Sequence, residues 1–164
     1  MQLWLLRHAA AEERAASGRD EDRELTEDGR RRARAVARGL AELDPGIELV
    51  LTSPYRRARQ TAEPAVEALG VLGLFREVSA LEPNQDPEEI LEEVEAEKAE
   101  GILLVGHQPH LGALLGRLVA GDRGLEIPLK KASIACVELE GRRRGRLRAL
   151  LPARVLEKLA RAGK

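Results

Sequence analysis

Three short stretches of this chain carry side chains able to grip or attack an anion: Arg7 with His8, residues 53–57 (SPYRR), and Gly106 with His107, followed by His110. Histidine placement is informative because the chain has only three, whereas 22 arginines against five lysines make any one arginine weak evidence. An arginine presents planar paired donors that match phosphate oxygens, and free amides at a helix start, as at Ser53 or beyond His107, add to the attraction. A histidine whose one ring nitrogen is held by an acceptor such as a backbone carbonyl keeps the other nitrogen free to attack phosphorus. The product is a phosphohistidine enzyme that water then hydrolyses. Neighbouring positive charge stabilises the equatorial oxygens of the transferring group, about 3 kcal/mol per well-placed donor, and lowers the nucleophile's pKa. Zinc is the competing use of His8, His107 and His110, but two arginines on the same rim would repel a dication and no Asp, Glu or Cys stands at a matching position. No metal or cofactor is therefore expected, and His110 reads as a helix-start residue facing solvent or the pocket edge.

Residues can converge only if the chain brings them together. LWLL (3–6), LVL (49–51) and ILLV (102–105) are short unbroken apolar runs, the pattern of strands buried on both faces of a parallel sheet. Helical patterns separate them. Thr26 caps a helix with Ala33, Val36, Ala37 and Leu40 on one face. Ser53 and Pro54 start a second, stopped by Gly70 and kinked at Pro64. Asp86, Pro87 and Glu89 form a capping-box start for Ile90, Leu91 and Val94. Leu111, Leu114, Leu115, Leu118 and Val119 make a fourth, stopped by Gly121. SIACVEL (133–139) and RLRALL (146–151) read as an antiparallel pair at a sheet edge, and an amphipathic helix follows Pro152. The expectation is an α/β three-layer sandwich with a mainly parallel central sheet. Ligands bind beyond the carboxyl ends of such strands, where Arg7-His8, residues 52–57 and Gly106-His107 would share one rim.

At 164 residues, the chain is expected to form one domain over 1–164. It is 43% apolar with 28 acidic against 27 basic residues, which argues against nucleic acid as the default partner. A lone Cys136, no leader and no long apolar span point to a cytoplasmic protein away from membranes.

LLRHA (5–9), RELTEDGRRRA (23–33), TSPYRRARQTA (52–62) and VGHQP (105–109) resemble, in order and spacing, the histidine phosphatase, or phosphoglycerate-mutase-like, superfamily. The short chain, Ala9 in place of a glycine, and VGHQP look most like its SixA branch of phosphohistidine phosphatases. The resemblance implies that His8 is the nucleophile, that Arg7 and Arg57 clamp phosphate, and that His107 bonds the phosphate and donates positive charge, with Ser53 as a further phosphate contact. It makes Thr26 and Gly29 a structural, helix-capping element. Family members that cleave alkyl esters use a carboxylic acid to protonate the leaving group. Here, SALEPNQDPEE (79–89) offers Glu82 as the near match, while the SixA branch needs no dedicated acid because the N–P bond is labile. The implied substrate is phosphohistidine on a protein. The alternatives are a small phosphomonoester with Glu82 as acid, or a non-catalytic phosphate-binding or phosphoprotein-binding module. Trp4 and Cys136 read as core and Tyr55 as pocket edge. Arg142, Arg143, Arg144, Arg146 and Arg148 read as a charged hairpin edge that discourages strand pairing rather than as a docking patch.

Overall fold

The computed structural model describes residues 1–121, 124–141 and 143–163. A six-stranded sheet has the order β3-β2-β4-β1-β5-β6. The strands are β1 Gln2–Arg7, β2 Leu49–Thr52, β3 Phe75–Glu77, β4 Gly101–Gly106, β5 Ile134–Leu139 and β6 Gly145–Leu151. The first four run parallel to one another, whereas β5 is antiparallel to β1 and to β6. The sheet is the mainly parallel one expected, with the antiparallel pair at its edge.

Alternate residues of the central strands feed two cores. Trp4 and Leu6 of β1, with Leu103 and Val105 of β4, pack against α1 (Glu27–Ala41), α2 (Arg56–Leu69) and α5 (Ala153–Ala162). Leu3, Leu5, Ile102 and Leu104 point the other way, against α3 (Pro87–Ala96) and α4 (His110–Ala120). Period-two alternation in runs that are apolar throughout is what a sheet covered on both faces requires. Cys136 is buried in the first core, and burial pushes its thiol up to about 11. Among the described residues, no helix is long and apolar enough to cross a membrane.

Helix ends follow the local signals with two shifts. Thr26 caps α1, its Oγ1 accepting from the Gly29 amide at 3.0 Å. The side chain of Asp86 caps α3 through the Glu88 amide at 3.0 Å rather than at Glu89, the position a capping box would use. Helix α2 begins at Arg56, not at Ser53, with Tyr55 at its N-cap, and it continues through Pro64 to a left-handed Gly70. The short edge strand β3 gave no sequence signal.

Gly29 links the fold to the site. A Cβ there would lie 2.0 Å from the Ala10 carbonyl oxygen, so the start of α1 is pressed directly on the backbone that follows His8. Gly29→Ala is expected to destabilise the protein by about 1–3 kcal/mol through overpacking against a backbone that cannot rotate away. Urea denaturation reads the loss. An unchanged midpoint would show that the two segments separate freely.

Candidate active site

The registers put three strand ends level. Arg7 pairs with Gly106 and Thr52 with Val105, so His8, Ser53 and His107 each stand one step past a carboxyl end on the same rim. Backbone bonds continue the alignment, from His8 N to the Gly106 carbonyl at 3.0 Å and from Ser53 N to the Val105 carbonyl at 3.0 Å. The His8 and His107 ring centroids are 5.1 Å apart. Tyr55 packs edge-on against His107 at 5.1 Å, and the Arg57 guanidinium lies 4.9 Å over the Tyr55 ring.

The His8 Nδ1 is 2.7 Å from the Ala9 carbonyl oxygen, which can only accept. Nδ1 therefore carries the proton and Nε2 the lone pair. The Ala9 amide in turn donates to Thr61 Oγ1 at 3.1 Å, and that hydroxyl donates to the Arg57 carbonyl at 2.7 Å, tying the His8 loop to α2. Desolvation lowers the His8 pKa to about 4, opposed by the Ala9 bond and aided by the charges of Arg57, Arg7 and Lys131. The imidazole is thus neutral at pH 7.

His107 differs from the expectation of a resident positive charge. Desolvation first, then the neighbouring His8 and Arg57, push its pKa to about 2, so in this state it is neutral. Its Nε2 lies 2.8 Å from Ser53 Oγ, while Nδ1 is buried without a protein partner. One arrangement that satisfies both groups has Ser53 Oγ accept from the Tyr55 amide at 3.3 Å and donate its own hydrogen to His107 Nε2, which leaves an N–H on Nδ1. A neutral His107 can still offer a donor to an anion. Ser53 itself is fully buried against the histidine.

The arginines are fixed by backbone carbonyls. Arg7 Nη1 donates to the Leu129 carbonyl at 2.8 Å, and Arg57 Nη1 to the Asp20 carbonyl at 2.7 Å. Arg57 Nη2 meets Asp20 Oδ2 at 2.9 Å. Desolvation would raise the Asp20 carboxyl, but hydrogen bonds from Arg23 and Arg57 outweigh it and hold it below the usual range. Each arginine leaves its buried Nε without a protein partner. Buried donors are normally satisfied, and a bound tetrahedral anion would satisfy these.

Glu82 closes a 3-10 turn at Ser79–Leu81 and is half-buried, near enough to Tyr55 for its charge to reinforce the desolvation that raises the phenol's pKa. Of the two expectations for His110, solvent or pocket edge, burial overturns the first: it is 3% exposed at the start of α4, and burial lowers its pKa. Among the described residues, the three histidines form no group that could hold a metal ion. Arg143 pairs with Glu88 and Glu95, Arg146 with Glu140 and Arg148 with Glu138, so these hairpin cations are neutralised within the chain. Arg142 lies outside the described residues. Asp20, Thr61 and Lys131 escaped the sequence reading, because each meets the site from a loop or helix with no spacing that marks it.

Histidines held neutral by burial make stability depend on acid. Below pH 6.5 the unfolded chain protonates His8, while the folded protein does not until about pH 4, so protons favour unfolding across that window. At about 1.36 kcal/mol per unit, His8 alone should cost about 3 kcal/mol by pH 4. Urea titrations at pH 7, 5.5 and 4.5 should show the fall, and His8→Asn should make it shallower, leaving the part due to the equally buried His107 and His110. Equal slopes in both proteins would refute the buried neutral histidine.

Comparisons with known proteins identify the family and the fold. The model of the histidine phosphatase superfamily (branch 1) matches residues 3–82. Phosphohistidine phosphatase SixA of Escherichia coli is 33% identical over 125 residues, 74% of this chain and 76% of its own. An uncharacterized protein of Picosynechococcus sp. is 40% identical over 138 residues, 82% of each chain. Among solved structures, the protein histidine phosphatase SixA complexed with tungstate superimposes with a TM-score of 0.86 at 28% identity, covering 95% of this chain and 99% of that one. The chain belongs to the histidine phosphatase superfamily, branch 1. It is a hydrolase of the phosphatase class with the SixA-like fold.

Proposed function

We propose that the protein is a phosphohistidine phosphatase that removes phosphate from a histidine of another protein through a covalent phospho-His8 intermediate. The observation that carries this reading is the His8 Nδ1 bond to the Ala9 carbonyl at 2.7 Å, which fixes the tautomer that leaves Nε2 free to attack. Nε2 bonds to phosphorus as the bond from phosphorus to the substrate imidazole breaks. The departing imidazole takes its proton from solvent. Arg7, Arg57 and the Nδ1–H of His107 receive the charge on the equatorial oxygens. Water then attacks phosphorus from the side opposite Nε2, the bond to His8 breaks, and inorganic phosphate leaves with His8 neutral again. No metal or cofactor enters this scheme.

One observation favours a second reading, a small-molecule phosphomonoesterase: Glu82 is close enough to influence Tyr55, which touches His107. An alkoxide leaving group would need such an acid. The two readings part on Glu82→Gln. For a phosphohistidine enzyme, the variant should hydrolyse a phosphohistidine protein at close to the wild-type rate, and alkyl phosphates should be poor substrates of both forms. Alkyl phosphate turnover at a comparable or faster rate, lost by about 10²-fold in Glu82→Gln, would establish the second reading instead.

A further inference from the structure

A groove of about 600 Å³ leaves the site at Arg7. Its near wall is the chain at 128–131 together with Ser133, and its far wall is Leu150, Pro152, Ala153 and Arg154, closed by the Arg32–Glu157 pair. The antiparallel course of β5 explains this placement. Ile134 at the start of β5 pairs with Leu6 and with Leu151, so the loop entering β5 and the exit from β6 both fall on the rim that carries His8. The near wall is firmly built. Besides the Arg7 bond to Leu129, the Ala132 amide donates to the Arg7 carbonyl at 3.0 Å and the Arg7 amide to the Ser133 carbonyl at 3.2 Å.

The groove gathers several cations that have no carboxylate partner among the described residues. Most surface arginines here are paired with carboxylates, Arg143, Arg146 and Arg148 of the β5–β6 hairpin included. Lys130, Lys131 and Arg154 are exposed and form no ion pair among the described residues. Glu157 is the one carboxylate of the lining, and it is held by Arg32 at 2.8 Å. The lining also includes Pro128, Pro152 and a Leu150 that is 47% exposed. In a chain of net charge −1, such a cationic strip with an apolar floor, opening onto the phosphate clamp, is complementary to an extended acidic segment with apolar residues between its charges.

We propose that this groove seats the acidic polypeptide stretch that flanks the phosphorylated side chain of a protein substrate, an inference that rests on the reading of the site as a protein phosphohistidine phosphatase. Apolar contacts to Leu150 and the prolines hold the segment, and Lys130, Lys131 and Arg154 select its charge.

Two labelled peptides bearing a non-hydrolysable phosphohistidine analogue, one flanked by Asp and Glu and the other by Lys and Arg, test it by fluorescence anisotropy. The wild type should bind the acidic peptide at least about tenfold more tightly, with a preference that weakens in salt. Lys130→Glu/Arg154→Glu should abolish that preference while leaving hydrolysis of an aryl phosphate unchanged. Lys131 is left intact because its charge reaches His8. Equal binding of the two peptides, a preference that survives the double variant, or equally tight binding of a single-stranded oligonucleotide of matched charge would overturn the inference. Failure of the underlying reading looks different: authentic phosphohistidine peptides would not be dephosphorylated, whereas the anisotropy preference would stand.

Discussion

His8→Asn is expected to reduce turnover by roughly 10⁴–10⁶-fold, the scale on which loss of a covalent nucleophile is felt. Asparagine approximates the first part of the ring, and its amide can still donate to the Ala9 carbonyl, so the loop that bonds to Thr61 should keep its course. The variant should fold, with a circular dichroism spectrum matching the wild type, and it should still bind phosphate through Arg7, Arg57 and His107. What it lacks is the Nε2 lone pair. Brief incubation of the wild type with a phosphohistidine protein, followed by a denaturing quench, should reveal label on the enzyme that is stable in alkali and lost in acid. The variant should carry none. Retained turnover without labelled enzyme would mean that water attacks the substrate directly, with His8 as a base, and would overturn the covalent route.

The features legible in the sequence were those governed by local rules. Unbroken apolar runs marked β1, β2 and β4, and a change of pattern marked the β5–β6 pair, because burial on two faces writes itself into consecutive residues. Once those strands are parallel, Arg7, His8 and His107 must share a rim, and the positions of only three histidines made the convergence visible. The missed features depend on neighbours distant in sequence. β3 is a three-residue edge strand paired with β2, too short to carry a pattern. Ser53 resembled a helix start, yet its hydroxyl supports His107 and the helix begins three residues later. The neutrality of His107 follows from desolvation by surrounding chain, a property no spacing encodes. His110 is buried where a helix-start rule would place a polar residue at the surface.

Arg57→Ala is expected to lower kcat/KM by about 10²–10³-fold, the consequence of losing one charged donor aimed at the developing oxyanions in a site screened from water. The guanidinium is almost fully enclosed, 5% exposed, and it is pre-positioned by two bonds to Asp20 rather than ordered by substrate. Arg57→Lys should recover little, because an ammonium cannot span the Asp20 carbonyl and carboxylate while also facing phosphate. Asp20→Ala should cause a smaller fall, about tenfold, by releasing Arg57 without removing its charge. A purely structural role for Arg57 predicts lower stability with kcat/KM intact, so both quantities must be measured. The pH profile supplies a sharper discriminator. Desolvation holds His8 down to about 4, and the Arg57 charge acts in the same direction. Removing that side chain both admits water and deletes the charge, and each change raises the His8 pKa. The acid limb of kcat/KM in Arg57→Ala should therefore move upward, from near pH 4 toward the ordinary histidine value of 6.5. A limb that stays in place while activity falls would mean that Arg57 and His8 do not share one electrostatic environment.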